Sequence, residues 1–197
     1  MAWLFDTCGG HLALDFANTV SDRGSDRPID RLAAYADVVS FARQTNLISG
    51  ARAATLLRGA RRDPDAAGRA LDRARVLRDA TYEIFAAVAR EERPTPRDLQ
   101  RLNRELGRLC IGADLALGWR DDGESLDGFL GGIVHASVQL LTTEQERARV
   151  RLCEAPGCLW LFYDASRNRS RRWCDMRVCG NRMKARRHYA RGRGNAD

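Results

Sequence analysis

Four cysteines near one end of the chain constrain its folding more than any other feature: Cys153-x4-Cys158, then fifteen residues, then Cys174-x4-Cys179. Each pair closes a short loop, and two such loops can present four thiolates tetrahedrally to one zinc ion. Pro156-Gly157 inside the first loop favours the sharp turn that aims two sulfurs at one centre. The intervening chain fits a hairpin, with Leu159 to Tyr163 as one arm, Asp164 to Arg169 as the turn and Ser170 to Trp173 as the other arm. Trp160, Phe162 and Trp173 would cover the metal. Helix formers then run from Gly180 to Arg191 and stop before Gly192 and Gly194, which puts the fourth ligand at a helix N-terminus. This is a treble-clef-like layout, with loops wider than the usual two residues. An apolar core this small does not hold such a segment unaided, so one structural Zn2+ per chain acts as the staple. An iron site of the same ligand set, a redox pair and coincidental core cysteines are the alternatives. Cys8 and Cys110, in apolar surroundings, read as small buried side chains, and His188 reads as a surface helix residue.

Charge is divided unevenly around this module. Residues 1–146 carry 19 Arg against 22 Asp and Glu, a net −3, whereas residues 147–197 carry 13 Arg and one Lys against four acids, a net +10. Nearly all positive potential therefore sits in the last 51 residues, an electrostatic footprint for a polyanion. The candidate contacts are Arg167, Arg169, Arg171 and Arg172 around the hairpin turn, and Arg182, Lys184, Arg186 and Arg187 on the helix. Arginine favours bidentate contacts to phosphate or guanine, but Lys184 is the only lysine in the chain, so the choice of Arg is less informative than usual.

The first 143 residues read as a mostly helical α+β domain, followed by a junction over 144–151, the zinc module over 152–192 and a tail over 193–197. Alternation over His11 to Phe16 after Gly9-Gly10 predicts a short strand. Apolar spacing predicts helices from Pro28 to about Asn46, Ala51 to Arg61, Pro64 to Arg90, Pro96 to about Leu109, and Ser125 to Leu141. Thr95 and Pro96 supply a cap and a first-turn proline. A strand over Ala113 to Trp119 ends in an Asp121-Asp122-Gly123 turn. The apolar positions of these helices suffice for a core that folds without the zinc module. His11, Asp15, Asn18 and His135 are polar residues on apolar elements that could line a ligand pocket, with structural capping as the competing role. No phosphate loop, nucleophile elbow, dinucleotide fingerprint or metalloprotease helix is present, so no catalytic residues are assigned and the chain does not read as an enzyme. No membrane-spanning stretch and no export signal are visible, from which a soluble, cytoplasmic protein is expected.

The run Asp164-x-Ser166-Arg167-Asn168-x-Ser170-Arg171-Arg172-Trp173-Cys174-x-Met176-x-x-Cys179-Gly180-Asn181-Arg182 resembles the CGNR zinc finger. Leu12-x-Leu14-Asp15-Phe16-x-Asn18-Thr19 resembles the start of the associated ABATE domain. The resemblance implies a bacterial transcription regulator whose finger binds DNA and whose N-terminal domain senses a small molecule or mediates assembly. Double-stranded DNA is then the main partner, with an effector and a homodimer as further expectations and no membrane. An RNA-binding protein and a protein-interaction module with structural zinc are the rivals: exposed hairpin aromatics would favour RNA.

Overall fold

The computed structural model describes residues 5–112, 117–119 and 125–186. Its first elements are a six-residue helix α1 (Leu12–Ala17), strands β1 (Val20–Ser21) and β2 (Ile29–Asp30), and helix α2 (Tyr35–Gln44). Helices α3 (Gly50–Arg62), α4 (Pro64–Ala89) and α5 (Pro96–Leu106) follow, then strands β3 (Leu109–Ile111) and β4 (Leu117–Trp119) and helices α6 (Leu130–Thr142) and α7 (Glu144–Arg147). Strands β5 (Val150–Leu152) and β6 (Leu161–Tyr163) lead to a π-helical turn, Met176–Gly180, and residues 181–186 continue as α-helix. Among the described residues the three strand pairs are antiparallel two-stranded ribbons, so the fold is α+β and dominated by helix.

Local chemistry explains where the long helices begin. Asp63 caps α4 by accepting the Ala66 N–H at 2.8 Å, with Pro64 at the first position. Thr95 caps α5 in the same way through Asp98 N–H at 3.2 Å, ahead of Pro96. The apolar face of α5 is narrower than the leucine spacing suggests: Leu102 is buried, Leu106 packs at the core edge, and Leu99 is exposed.

Three expectations are corrected. Residues His11 to Phe16 form no strand: His11 Nδ1 accepts the Ala13 N–H and starts α1. That helix packs against α4 and α6, with Ala13, Leu14, Phe16 and Ala17 all buried. A short helix buried nearly all round carries no one-sided stripe, and its residue pattern imitates strand alternation. The helix expected from Pro28 begins only at Tyr35, because Ile29–Asp30 pairs with β1 and Asp30 accepts the Leu32 N–H and both terminal nitrogens of Arg78. The helix expected from Ser125 begins at Leu130. The 113–116 part of the predicted strand and the Asp121-Asp122-Gly123 turn lie outside the described residues; Leu117–Trp119 is a strand.

The core runs through the seam between the helices and the zinc module. Leu14, Ala17, Tyr82, Phe85 and Leu140 pack together with Val150 and Leu161. Asn18 clamps the seam, its Nδ2 donating to Leu161 O at 2.7 Å and its Oδ1 accepting Leu161 N–H at 2.9 Å. Tyr82 Oη donates to Leu159 O, Trp160 Nε1 to Val20 O, and Tyr163 N–H to Gly9 O. Gly9 must be glycine, since a Cβ there would stand 2.6 Å from Asp15 Oδ1.

Candidate metal centre and basic surroundings

The first cysteine pair sits in the connection of the β5–β6 hairpin. Leu152 pairs with Leu161, Cys153 N–H bonds to Trp160 O at 2.8 Å, and the loop turns back through Cys158 N–H to Ala155 O. Gly157, at φ +81°, takes the left-handed step that closes it. The partner of the 161–163 arm is therefore β5, which precedes the knuckle, and not the 170–173 segment. Residues 170–173 lie beside the knuckle without strand pairing, touching it through Glu154 N–H to Arg172 O. Buried Asp164 shapes the loop between them, accepting Ser166 N–H and Arg171 N–H at 2.9 Å each. Asp175 then caps the π-helical turn that presents Cys179 just before the helix over 181–186.

All four thiols are buried, and their sulfurs lie within 4.8 Å of one another. Cys158 to Cys174 and Cys174 to Cys179 are each 3.7 Å. A tetrahedral zinc with Zn–S near 2.3 Å places its sulfurs about 3.8 Å apart, so the donor set fits the ion. The electrostatics of the bare thiols agree. Hydrogen bonds from Cys158 and Cys174 pull the Cys153 thiol far below its ordinary value, while Cys153 pushes both partners up. Thiolates held this close repel one another until a dication supplies the opposing charge.

Arg182 reinforces the site, with a guanidinium nitrogen 3.3 Å from the Cys179 sulfur. Arg182→Ala should therefore weaken zinc binding by roughly 10-fold or more, measured by competition with a chromophoric chelator; unchanged zinc affinity would leave Arg182 available to a partner. Arg171 is also engaged. Its Nε donates to Trp173 O at 2.9 Å, its terminal nitrogen to Cys174 O, and its guanidinium lies 4.8 Å from the Phe162 ring centre. Arg172 pairs with Glu154 through Nε at 2.6 Å. Arg167, Arg169, Lys184 and Arg186 are exposed, as is Arg177, which sequence reasoning did not single out. Arg187, His188 and the 193–197 tail lie outside the described residues.

Among the hairpin aromatics Phe162 is fully buried, whereas Trp160, Tyr163 and Trp173 are half-buried; Trp160 is held by its bond to Val20 O, and Tyr163 donates to Glu146 at 2.7 Å. Cys8 and Cys110 are half-buried, not enclosed, and Cys8 packs directly on the four-cysteine cluster. No spacing rule could flag that thiol, 145 residues from the first ligand.

Of the four proposed pocket residues, the structure brings two to one cavity. Asp15 and Asn18 line a space of about 220 Å³ together with Asp6, Thr19, Arg31 and Trp160. His11 serves as the cap of α1, and His135 sits half-buried on α6; neither lines that space. Burial pushes the Asp15 carboxyl up to about 7, against weaker opposing hydrogen bonds from the Gly9 and Gly10 backbone. A folded-state value above the unfolded one means that stability is full below the unfolded value of 3.8 and falls as pH rises toward about 7. Asp15→Asn should flatten this part of the stability–pH profile, which denaturant midpoints at pH 5 and pH 8 would show.

Among the described residues, no helix is long and apolar enough to cross a membrane. Comparison with known families agrees with the geometry. Residues 149–192 match the CGNR zinc finger, and residues 10–144 match the family described as ABATE, Putative stress-induced transcription regulator. These are regulator and zinc-finger families, not enzyme families. No curated protein matches the chain. With more than half of its length inside one family model and a buried four-thiol site inside the other, the chain belongs to the ABATE family and carries a C-terminal CGNR zinc finger.

Proposed function

We propose that the protein is a zinc-dependent, double-stranded-DNA-binding transcription regulator of the bacterial cytoplasm, without enzymatic activity, whose ABATE domain senses a ligand or mediates assembly. The observation that carries this reading is the exposed basic set around the metal centre. Arg167 and Arg169 project from the loop that Asp164 organises, while Arg177, Lys184 and Arg186 project from the helical segment that begins at the last two ligands. The zinc ligands tie these two segments together, so both can face one polyanion with little ordering cost. The net −3 of residues 1–146 gives the helical domain no comparable attraction. Duplex DNA is favoured over RNA because Phe162 is buried and Trp160, Tyr163 and Trp173 are each partly buried, so the hairpin carries no fully exposed aromatic for unstacked bases.

Binding of the zinc-loaded full-length chain to fragments selected from random duplex should weaken with salt. If about five of these cations meet phosphates, log affinity falls against log salt with a slope of roughly −4 to −5. Arg167→Ala or Arg169→Ala should each flatten that slope by about 0.9, while a base-reading position on the helix, for which Arg186 is the candidate, should cost about 1–3 kcal/mol on the preferred site alone. Absence of salt-sensitive binding to duplex, with retention on selected RNA or on neither, would overturn the DNA reading.

A further inference from the structure

The cavity beneath α1 lies where the helical domain meets the finger, and its polar lining is unbalanced. Asn18 Nδ2 is committed to Leu161 O, Thr19 Oγ1 to Phe16 O, Trp160 Nε1 to Val20 O, and Arg31 Nε to Ser21 Oγ. Acceptor capacity remains. Asp15 is only 7% exposed, and although the Gly9 and Gly10 backbone lies close to its carboxyl, Oδ1 completes no hydrogen bond of good geometry. Asp6 adds a second, exposed carboxylate at the mouth, and Trp160 contributes part of the wall. An unpartnered buried carboxylate oxygen costs free energy in the empty protein. A group that donates hydrogen bonds to it would recover that cost, and a cationic donor would do so most fully.

The space continues toward the metal. A second cavity of about 200 Å³ shares Asp6, Ser21, Arg31 and Trp160 with the first, and its far wall is formed by Cys158, Cys174, Cys179 and Arg182. An occupant at Asp15 would thus lie against residues that also border the zinc ligands.

From this lining we infer that the Asp15 cavity is a binding site for a small cationic ligand, a primary ammonium or an amidinium, held by Asp15 with Asp6 at the mouth and Trp160 as a wall. This deepens the ligand-sensing half of the proposed function and does not depend on DNA binding. The volume suits a metabolite-sized group and falls short of a drug-sized one. An anion of equal size would meet the two carboxylates Asp6 and Asp15 against the single cation Arg31 in the lining, and an apolar ligand would leave Asp15 Oδ1 unpartnered.

Benzamidine is a suitable probe and benzoate its anionic match, tested against zinc-loaded full-length protein at pH 8 by calorimetry. The Trp160 indole N–H resonance, assigned by its loss in Trp160→Phe, serves as the local reporter. Benzamidine should bind and move that resonance while benzoate does neither. Asp15→Asn should weaken benzamidine by about tenfold or more, the size expected for losing a charge-assisted hydrogen bond, with zinc content and helicity unchanged. If Asp15→Asn fails to fold, Asp6→Asn at the exposed mouth should still weaken benzamidine measurably. No binding of benzamidine at millimolar concentration, equal binding of benzoate, or undiminished affinity in the carboxylate variants would overturn the site. No nucleic acid is present in these measurements, so a failure here and a failure of the DNA reading are told apart.

Discussion

Cys174→Ser should abolish stoichiometric zinc binding and unfold the knuckle together with the segment from Asp164 through residue 186. Cys174 is the thiol through which the two loops meet, 3.7 Å from Cys158 on one side and from Cys179 on the other. A serine hydroxyl there neither ionises at neutral pH nor matches zinc as a ligand. Structural zinc in small modules contributes about 10–16 kcal/mol of apparent binding free energy, as large as the whole stability of an ordinary domain, so the module has no route to its fold without it. Few other contacts compensate: beyond the cysteines, Phe162 and Ala155, the local cluster contains only partly buried side chains. Elemental analysis should give one zinc per wild-type chain and almost none for the variant. Cys8→Ser and Cys110→Ser are the controls. Cys8 is the sharper one, since it packs on the cluster without belonging to the set of mutually close sulfurs. Full zinc retention in Cys174→Ser, or its loss in Cys8→Ser, would mean that the ligand set is wrong.

The metal site was legible because thiol pairs at fixed spacing have few other uses in such a segment, and four ligands converging on one ion hardly depend on the rest of the fold. The strands around it were not legible. Ligand spacing says which residues meet the ion but not which backbone pairs: the junction expected over 144–151 takes in Val150 and Arg151, which with Leu152 form the arm that pairs with Leu161–Tyr163. Helices α4 and α5 were readable from Asp63-Pro64 and Thr95-Pro96, whose capping chemistry is local. Helix α1 was not, because its burial comes from neighbours distant in sequence and overrides the local pattern. The same limit applies to the cavity. Asp15 and Asn18 were visible as polar residues on an apolar element, but Asp6, Arg31 and Trp160 arrive from separate segments that no spacing connects. Among the cations, sequence could count charge and could place Arg182 beside the last ligand, but could not show that Arg171 is engaged with the Trp173 and Cys174 carbonyls while Arg167 and Arg169 face solvent.

Removing everything after residue 143 should leave the helical domain unable to hold its fold, against the expectation from its helices alone. Val150 and Leu161 are 1% and 0% exposed and complete the cluster formed by α1, α4 and α6. Losing them removes about 1.5–3 kcal/mol of apolar burial each. The truncation also strands Asn18, which is buried and has both ends of its amide on Leu161, at a further cost of about 1–3 kcal/mol. The total, about 4–9 kcal/mol, is comparable with the roughly 5–15 kcal/mol that a domain possesses. A point substitution tests the same seam in the full chain. Asn18→Ala leaves the Leu161 N–H and C=O unpaired in the core and should cost about 2–4 kcal/mol, a drop in Tm of roughly 5–15 °C for a chain of this size. Asn103→Ala, exposed on α5, should stay within about 0.5 kcal/mol of wild type. If residues 1–143 gave a cooperative transition near that of the full-length protein and Asn18→Ala matched Asn103→Ala, the helical domain would be self-sufficient and the seam a surface contact. If instead both fall as argued, chelating the zinc should lower the stability of the helical domain too, because loss of the knuckle frees the hairpin that carries Leu161.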